Sequence, residues 1–258
     1  MDIHQHFRHD EHPFIDQVLS WIDDVEKTYQ MKVTDFLDPR EQQIVDMLTG
    51  TSLEELKVYK HGGSKNAERQ RVIIAPMYEE VKEDAFQLSL LQGSYNDKFI
   101  SLGHRDVMGA FLSQGIKRQK LGDIHVEDGL IQIIMGSEIA PFVLTNLTAI
   151  KRARIKLEEQ PLSYVMEKEP NWDESNHIVS SLRLDTVVKV IYKLPRKDAG
   201  EMIKKGLVKV NYKVTDDRKL VLEEGDMISL RGKGRSKIIG INGRTKKGKV
   251  NITTGQLK

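Results

Sequence analysis

The sequence predicts an α+β protein made of three small domains. Three observations support this: 258 residues with a 39% apolar share, enough for more than one core; alternating helical and strand periodicities; and an abrupt change of charge near residue 180. We expect an α/β domain over residues 1–76, a ferredoxin-like domain over 77–166 and a linker over 167–180. A domain of two helices and short strands then follows over residues 181–258.

The N-terminal domain begins with an amphipathic pattern. Apolar residues recur every three or four positions between Phe14 and Val25, which predicts a helix. Pro39 is placed to begin a second helix, and Gly50 to end it. Apolar runs on either side of His61-Gly-Gly63 predict two strands joined by a loop.

The middle segment contains the order β-α-β-β-α-β. Strands are predicted near residues 86–91 and 154–157, and a hairpin at Glu127-Asp128-Gly129, because Asp-Gly between apolar runs favours a tight turn. Asp106 and Ser137 are predicted to cap the two helices. This order of elements is the split βαβ, or ferredoxin-like, pattern.

The last two segments differ in periodicity. Residues 167–180 are polar and show no period, which predicts a linker. Apolar positions from Leu184 to Leu194 then predict one helix, and Pro195 to Gly206 a second. Short strands are predicted at residues 207–211, 226–230, 237–241 and 249–253.

The charge is unevenly distributed, although the whole chain has a net charge of only +2. Residues 1–179 carry 20 Lys/Arg and 30 Asp/Glu, a net charge of −10, whereas residues 180–258 carry 20 and 8, a net charge of +12. Such asymmetry indicates a polyanion-binding C-terminal end. The absence of Cys excludes disulfides, thiol nucleophiles and Cys-rich zinc sites, and fits a reducing compartment.

The sequence shows neither the pattern of a secretory signal nor that of a membrane span. The N-terminal residues lack the apolar segment of a secretory signal, and no run approaches the roughly 18 apolar residues of a membrane span. We therefore expect a cytoplasmic protein with no membrane partner.

The C-terminal segment contains a specific set of motifs. They are Leu182-Arg-Leu-Asp185, Leu194-Pro-Arg196-Lys-Asp-Ala199, Gly206-Leu-Val-Lys-Val-Asn211 and Glu224-Gly-Asp-Met-Ile228. This segment closely resembles the RNA-binding domain of the ribosomal small-subunit protein S-four type, also called the alpha-L motif. Pro195 departs from the family by replacing the Ser that usually precedes the arginine, which removes a capping hydroxyl.

Candidate RNA-binding residues lie along this segment. They are Arg183, Asp185, Arg196, Lys197, Lys204, Lys205, Asn211, Arg231, Lys233, Arg235 and Lys237. Residues 231–249 hold eight Lys/Arg and no acid, with glycines that let a phosphate approach the backbone. Since Tyr192 and Tyr212 are the only aromatics here, recognition through shape and backbone is favoured over base stacking. The alternative is a merely solvated basic surface.

A wider resemblance covers most of the chain. Gly103-His-Arg-Asp-Val-Met-Gly109, Gly115-Ile-Lys-Arg118, Leu121-Gly-Asp-Ile124 and Ser229-Leu-Arg-Gly-Lys-Gly-Arg235 resemble the bacterial YlmH-type RNA-binding proteins. The resemblance implies a non-enzymatic factor with an RNA-binding middle domain. From the motifs that the sequence lacks, we expect no cofactor and no metal. It suggests rRNA or tRNA on the large ribosomal subunit as partners and a role in ribosome-associated quality control. We expect a monomer and no DNA partner.

A second candidate RNA contact lies in the middle segment. It comprises His104, Arg105, Lys117 and Arg118. A solvated face is the alternative, since this part of the chain is acidic. Its predicted strands contain no aromatics, so we expect no base stacking there. The alternative, a domain that docks to a protein or to the ribosome, fits the pattern nearly as well.

Two motifs resemble functional sites of other proteins but have simpler explanations. His104-Arg105-Asp106 imitates a kinase catalytic loop, but Phe111 stands where that loop needs Asn. The N-terminal histidines, His4, His6, His9 and His12, have ligand-like spacing. Without Cys or paired acids, a mobile terminus or helix surface is favoured over a metal site.

Two other function classes remain open as alternatives. Arg183-Leu-Asp185 is similar to the catalytic motif of pseudouridine synthases, but Leu182 stands where those enzymes have Gly, and no second catalytic domain fits the length. An rRNA methyltransferase would need a glycine-rich cofactor loop, which the sequence lacks. Both of these belong to the first alternative, an RNA-modifying enzyme. The second alternative is a protein-interaction adaptor that uses the acidic N-terminal segment.

Overall fold

The computed structural model describes residues 3–50, 56–167 and 169–257. Its contacts divide the chain into two compact units, Met1–Lys168 and Glu169–Lys258. Across these described ranges, no helix is both long and apolar enough to cross a membrane.

The first unit begins with a three-stranded antiparallel sheet and two helices. The elements are α1 (His12–Thr28), β1 (Lys32–Leu37), α2 (Pro39–Thr49), β2 (Leu56–His61) and β3 (Gln70–Pro76). The strand order is β1-β3-β2, and the buried faces of α1 and α2 pack on the sheet through residues such as Val18 and Ile44. Pro39 begins α2, and Asp38 and Glu41 cap it reciprocally. The sequence did not predict β1, because its short run is interrupted by Asp35.

The middle part of the first unit is ferredoxin-like, as predicted. Its elements are β4 (Leu88–Ser94), α3 (His104–Ser113), β5 (Leu121–Glu127), β6 (Leu130–Gly136), α4 (Ala140–Asn146), β7 (Ala149–Ile150), β8 (Ala153–Arg154) and β9 (Leu157–Gln160). The antiparallel sheet has the order β5-β6-β4-β9, and the small β7–β8 hairpin precedes the last strand. Asp128 and Gly129 adopt φ of 46° and 76°, which the tight β5–β6 turn requires.

Several predicted boundaries in this part need correction. Gly103, not Asp106, is the N-cap of α3; Asp106 lies in the first turn and accepts from the Gly103 N–H at 3.0 Å. Ser137 begins a 3₁₀ turn, and α4 starts only at Ala140. The last strand begins at Leu157, because Arg154 pairs instead with Ala149 in the small hairpin.

In the second unit, over residues 169–257, the structure describes two helices and six strands. They are β10 (Trp172–Val179), α5 (Leu184–Ile191), α6 (Arg196–Lys204), β11 (Val208–Val210), β12 (Lys213–Val214), β13 (Met227–Leu230), β14 (Gly234–Arg244) and β15 (Val250–Leu257). The antiparallel sheet runs β10-β15-β14-β13-β11-β12. Leu184, Val188 and Ile203 are buried between the helices and the strands. Pro195 is the N-cap of α6 instead of its first residue.

The predicted linker over residues 167–180 is corrected by β10. This strand pairs along its whole length with β15, from Trp172↔Leu257 to Val179↔Val250. It is polar because it is an edge strand with mostly exposed side chains, and its pairing depends on backbone hydrogen bonds. Hydrophobic periodicity therefore could not reveal it.

Candidate RNA-binding site

The centre of the predicted RNA-binding motif is a buried carboxylate. Asp185, 6% exposed, accepts hydrogen bonds from Nε and Nη2 of Arg183, both at 3.1 Å. Nη2 of Arg196 lies 3.5 Å from its Oδ2, and the Thr186 hydroxyl donates to its Oδ1 at 3.2 Å. The structure thus brings together three predicted residues that come from the starts of two helices.

The electrostatics of this cluster keep Asp185 ionised. Burial by itself raises the pKa of Asp185, but the hydrogen bonds and charge of Arg183 and the charge of Arg196 outweigh it and hold the pKa below its ordinary value. The side chains of Arg183 and Arg196 remain 36% and 65% exposed. The carboxylate therefore orients two guanidinium groups whose outer faces stay open to an anion.

The backbone at the start of α5 is already occupied. The Leu184 N–H donates to the Leu220 carbonyl at 2.9 Å, and the Asp185 N–H to the Arg218 carbonyl at 3.2 Å. These bonds fix the entry to α5 against residues 218–222. Because these amides are used internally, side chains, not the helix N-terminus of α5, are left to bind phosphates.

Helix α6 adds a row of cations. Lys197, Lys204 and Lys205 are all exposed, and their contacts with phosphate remain a prediction. Arg218, which sequence reasoning missed, packs over Gly200, where an added Cβ would lie 3.1 Å from its Nη1. The glycine at this position of α6 was the only sequence signal for that close approach.

Asn211 has a different role from the neighbouring cations. It lies at a φ of 48°, in the left-handed region that Asn tolerates. Its Nδ2 donates to Asp226 Oδ1 at 2.7 Å, and its Oδ1 accepts from the Met227 N–H at 2.9 Å. The side chain therefore ties the end of β11 to the start of β13, and a contact between Asn211 and RNA remains a prediction.

The turn between β13 and β14 presents the remaining predicted cations. Arg231 and Lys233 are exposed, and Lys237 lies half-buried on β14. The guanidinium of Arg235 lies 5.9 Å from the ring centre of Tyr212, within the range of a cation–π contact. The buried Tyr192 stabilises this turn, because its hydroxyl donates to the carbonyls of Ile228 at 3.1 Å and Gly234 at 3.2 Å.

The second predicted cluster lies in the middle domain, where burial and then the nearby charge of Arg118 lower the pKa of His104. His104 and Arg105 begin α3, whereas Lys117 and Arg118 lie in the segment after it. Nη1 of Arg118 donates to the carbonyls of Leu121 at 2.6 Å and Gly122 at 3.1 Å. Burial and the nearby charge of Arg69 lower the pKa of Arg118 to about 10. Arg118 therefore holds β5 in place, and its contact with RNA remains a prediction.

One face of the ferredoxin-like sheet is covered by protein. Leu90 and Ile134 are fully buried against Phe36 of β1. Residues 162–166 lie over the same sheet, because Nε2 of Gln132 donates to the Tyr164 carbonyl at 2.7 Å. An RNA recognition motif stacks bases on an open sheet face. This face therefore lacks the open surface that such stacking needs.

The N-terminal histidines pack against one another. Nε2 of His4 lies 3.1 Å from Oδ1 of Asp16, and the rings of His4 and His12 are centred 4.6 Å apart. Within residues 3–50, 56–167 and 169–257, no group of three His, Asp or Glu side chains could hold a metal ion.

Three models of protein families match successive parts of the chain. "YlmH, N-terminal" matches residues 10–79, "Putative RNA-binding domain in YlmH" matches residues 81–164 and "S4 domain" matches residues 182–228. These matches confirm the resemblance that the motifs indicated. The chain thus carries the RNA-binding domains of that family.

Two relatives support this result, one of them over nearly the whole chain. "Ribosome-associated protein quality control protein P2" of Bacillus subtilis (strain 168) is 42% identical over 252 residues, which cover 98% of this chain and 97% of the relative. A solved structure, "Cell division protein ylmH from Streptococcus pneumoniae", has a TM-score of 0.55 at 30% identity and covers 64% of this chain and 99% of its own. From its domains and from this near full-length identity, the chain belongs to the YlmH family.

Proposed function

We propose that this protein is a non-catalytic RNA-binding factor that docks as a monomer on structured RNA, either rRNA or tRNA, at the large ribosomal subunit and acts in ribosome-associated quality control. The observation that carries the proposal is the pair Arg183 and Arg196, oriented by the buried Asp185 within a segment of net charge +12. The name of the Bacillus relative supports the assignment to ribosome-associated quality control.

The chemistry of the cluster favours a phosphate backbone as ligand. A guanidinium presents paired donors that match phosphate oxygens. The lysines of α6 add positive charge on flexible side chains that need no fixed binding geometry. Since Tyr192 is buried and Tyr212 lies against Arg235, stacking of splayed bases has little support. Structured RNA, recognised by shape and backbone, fits this surface best.

The surroundings of Asp185 favour binding over catalysis. Its two carboxylate oxygens are engaged by Arg183, Arg196 and Thr186. A catalytic aspartate would need an oxygen free to reach its substrate. These contacts support a positioning role for Asp185.

Sucrose-gradient sedimentation tests the proposal. The wild-type protein is expected to sediment with large ribosomal subunits at low salt and to dissociate steeply as salt rises, because phosphate contacts release counterions. The triple variant Arg183→Ala, Arg196→Ala, Lys204→Ala is expected to stay at the top of the gradient. The matched control, Lys57→Ala, Lys65→Ala, Lys82→Ala, removes three exposed cations from the other unit and should sediment like the wild type. A wild-type protein that never enters the subunit fractions would refute ribosomal docking.

Mass spectrometry of rRNA tests the non-catalytic part. Ribosomal RNA from a strain without this protein is expected to carry every modification found in the parent strain. A modification that is lost on deletion and restored by the wild-type chain would replace the binding proposal with that of an RNA-modifying enzyme.

A further inference from the structure

We propose that the β7–β8 hairpin and the start of α3 form a second phosphate-binding surface for RNA, in the first unit of the chain. We call residues 149–156 the basic hairpin. The inference rests on the proposed function for the nature of the ligand. It places the contact on residues other than those of the C-terminal unit, and largely other than those predicted from the sequence.

The basic hairpin is a rigid platform. Ala149 pairs with Arg154 and Ile150 with Ala153, and Lys151 makes the tight turn at a φ of 51°. Ile150 is fully buried, and Ala153 and Ile155 are each 5% exposed, so the hairpin is anchored in the ferredoxin-like core. Such anchoring lowers the backbone entropy that the hairpin must lose on binding.

The outer side of the hairpin is strongly cationic. Residues 151–156 hold four Lys/Arg and no acid, and all four cations are exposed. Lys151 pairs with Asp106 at 2.7 Å, and Lys156 with Glu158 at 2.7 Å. Arg152 and Arg154 form no ion pair with any residue that the structure describes, so their guanidinium groups are open to an external anion.

The start of α3 adds to the same surface. The ion pair of Lys151 with Asp106 joins the turn of the hairpin to the first helical turn, which also carries the exposed Arg105. The strand register agrees, because Gly93 at the end of β4 pairs with Leu157 just after the hairpin. Arg105, Arg152 and Arg154 therefore lie at one end of the sheet.

A polyanion is the partner that this surface fits. Three arginines on a fixed scaffold can each hold a phosphate oxygen pair, which a loose solvated charge run cannot do as well. The surrounding chain is acidic, with a net charge of −10 over residues 1–179, and repels RNA elsewhere. Contact is thereby restricted to this end of the domain. Arg118, which is engaged with carbonyls of β5, contributes less to such a surface.

A binding titration with protein-free RNA of the large subunit tests the inference. The full chain carrying Arg152→Ala and Arg154→Ala is expected to bind this RNA about 3- to 10-fold more weakly than wild type. The slope of log affinity against log salt should decrease by about 1 to 2, as two phosphate contacts are lost. The matched control, Lys65→Ala and Lys82→Ala, removes the same charge from exposed sites of the same unit and should change neither quantity. Conservative Arg152→Lys and Arg154→Lys changes should recover the salt slope.

The outcomes separate this inference from the proposed function. If the hairpin variant binds like its control while the Arg183, Arg196 and Lys204 triple variant binds weakly, the second surface is refuted and the C-terminal site stands. If the hairpin variant binds protein-free RNA normally but loses affinity for intact subunits, the surface recognises a ribosomal protein, and the RNA assignment is overturned. If neither variant loses affinity, the proposed function itself fails.

Discussion

Arg71 of the first unit and the pair Arg183 and Arg196 of the second unit use their guanidinium groups in opposite ways. In the first unit, Arg71 is only 3% exposed and donates to the carbonyls of Phe86 and Gln87 and to Glu138. In the second unit, Arg183 and Arg196 share one buried carboxylate and keep their outer faces in solvent. The difference shows that a cation marks a binding surface only when its donors remain available. A count of charges cannot distinguish the two uses.

Around Arg71 the charges form a closed network. Nζ of Lys120 lies 2.6 Å from Asp35 and 3.0 Å from Glu138, which also accepts from Arg71 at 2.7 Å. Hydrogen bonding to Asp35 and Glu138 outweighs desolvation and raises the pKa of Lys120. The network joins β1 and β3 to the ferredoxin-like part, so the two predicted N-terminal domains pack as one unit.

Removing Arg71 should give the largest effect. Arg71→Met removes a buried donor to the carbonyls of Phe86 and Gln87 and one of the two cations that pair with Glu138, and we expect the first unit to lose about 3–5 kcal/mol of unfolding free energy. Urea denaturation followed by Trp21 fluorescence, in a Trp172→Phe background, reports on this unit alone. The exposed Arg105→Ala is the control and should cost under about 0.5 kcal/mol. Equal stabilities would contradict a structural role for the network.

A methyl group placed between the two halves of the first unit should have the next largest effect. An added Cβ at Gly122 would lie 2.7 Å from Cε1 of the buried Phe36, so Gly122→Ala should cost about 1–3 kcal/mol through overpacking. Gly109→Ala, in α3 with open space around it, should instead stabilise by about 0.5–1 kcal/mol. The same Trp21 assay compares the two variants, and changes of the same sign would argue against this packing.

In the second unit, Asp185→Asn should affect both stability and binding. We expect a loss of about 1–2 kcal/mol, since Arg183 and Arg196 lose their charged acceptor, and a 3- to 10-fold weaker RNA affinity. Because the pKa of Asp185 is lowered on folding, its contribution is complete above about pH 4 and disappears as the pH falls through the lowered value. Thermal unfolding across pH checks this, with the exposed Asp198→Asn as control. A stability difference between wild type and Asp185→Asn that did not decrease as the pH fell below about 4 would contradict the ion-pair explanation.

Tyr192→Phe should have the smallest effect. It removes the hydroxyl that bonds to the carbonyls of Ile228 and Gly234, at a cost of about 1 kcal/mol. RNA affinity should fall less than twofold, because the cations of the β13–β14 turn remain. Tyr212→Phe retains the ring beneath Arg235 and is the control in the same denaturation and titration assays. A large loss of affinity in Tyr192→Phe would show that the turn geometry is critical for binding.

The sequence predicted the elements that rest on local patterns. The 3.6-residue period gave α1 and α5, Asp128-Gly129 gave the β5–β6 hairpin, and Gly206 gave the end of α6. Strands β1 and β10 were missed, because their stability comes from pairing with residues about 40 and 75 positions away. The linker prediction failed for the same reason.

The sequence likewise predicted one part of the candidate site and missed another. Motif spacing identified Arg183, Asp185 and Arg196, since the family pattern is contained in a short stretch of sequence. It could not show that Arg118 is engaged with β5, or that Lys151 of the basic hairpin pairs with Asp106 in the first turn of α3. Those distinctions depend on contacts between residues distant in the chain.

By itself, the sequence determined the fold class, the family and the basic C-terminal unit, because periodicity, motif and charge are properties of neighbouring residues. Only the tertiary structure decided which cations are available to RNA. Burial converts Arg71 and Arg118 into internal donors, and anchoring of the hairpin by Ile150 leaves Arg152 and Arg154 at the surface. The physical reason is that a guanidinium has a fixed number of donors, and the fold determines whether protein oxygens or an external phosphate receive them.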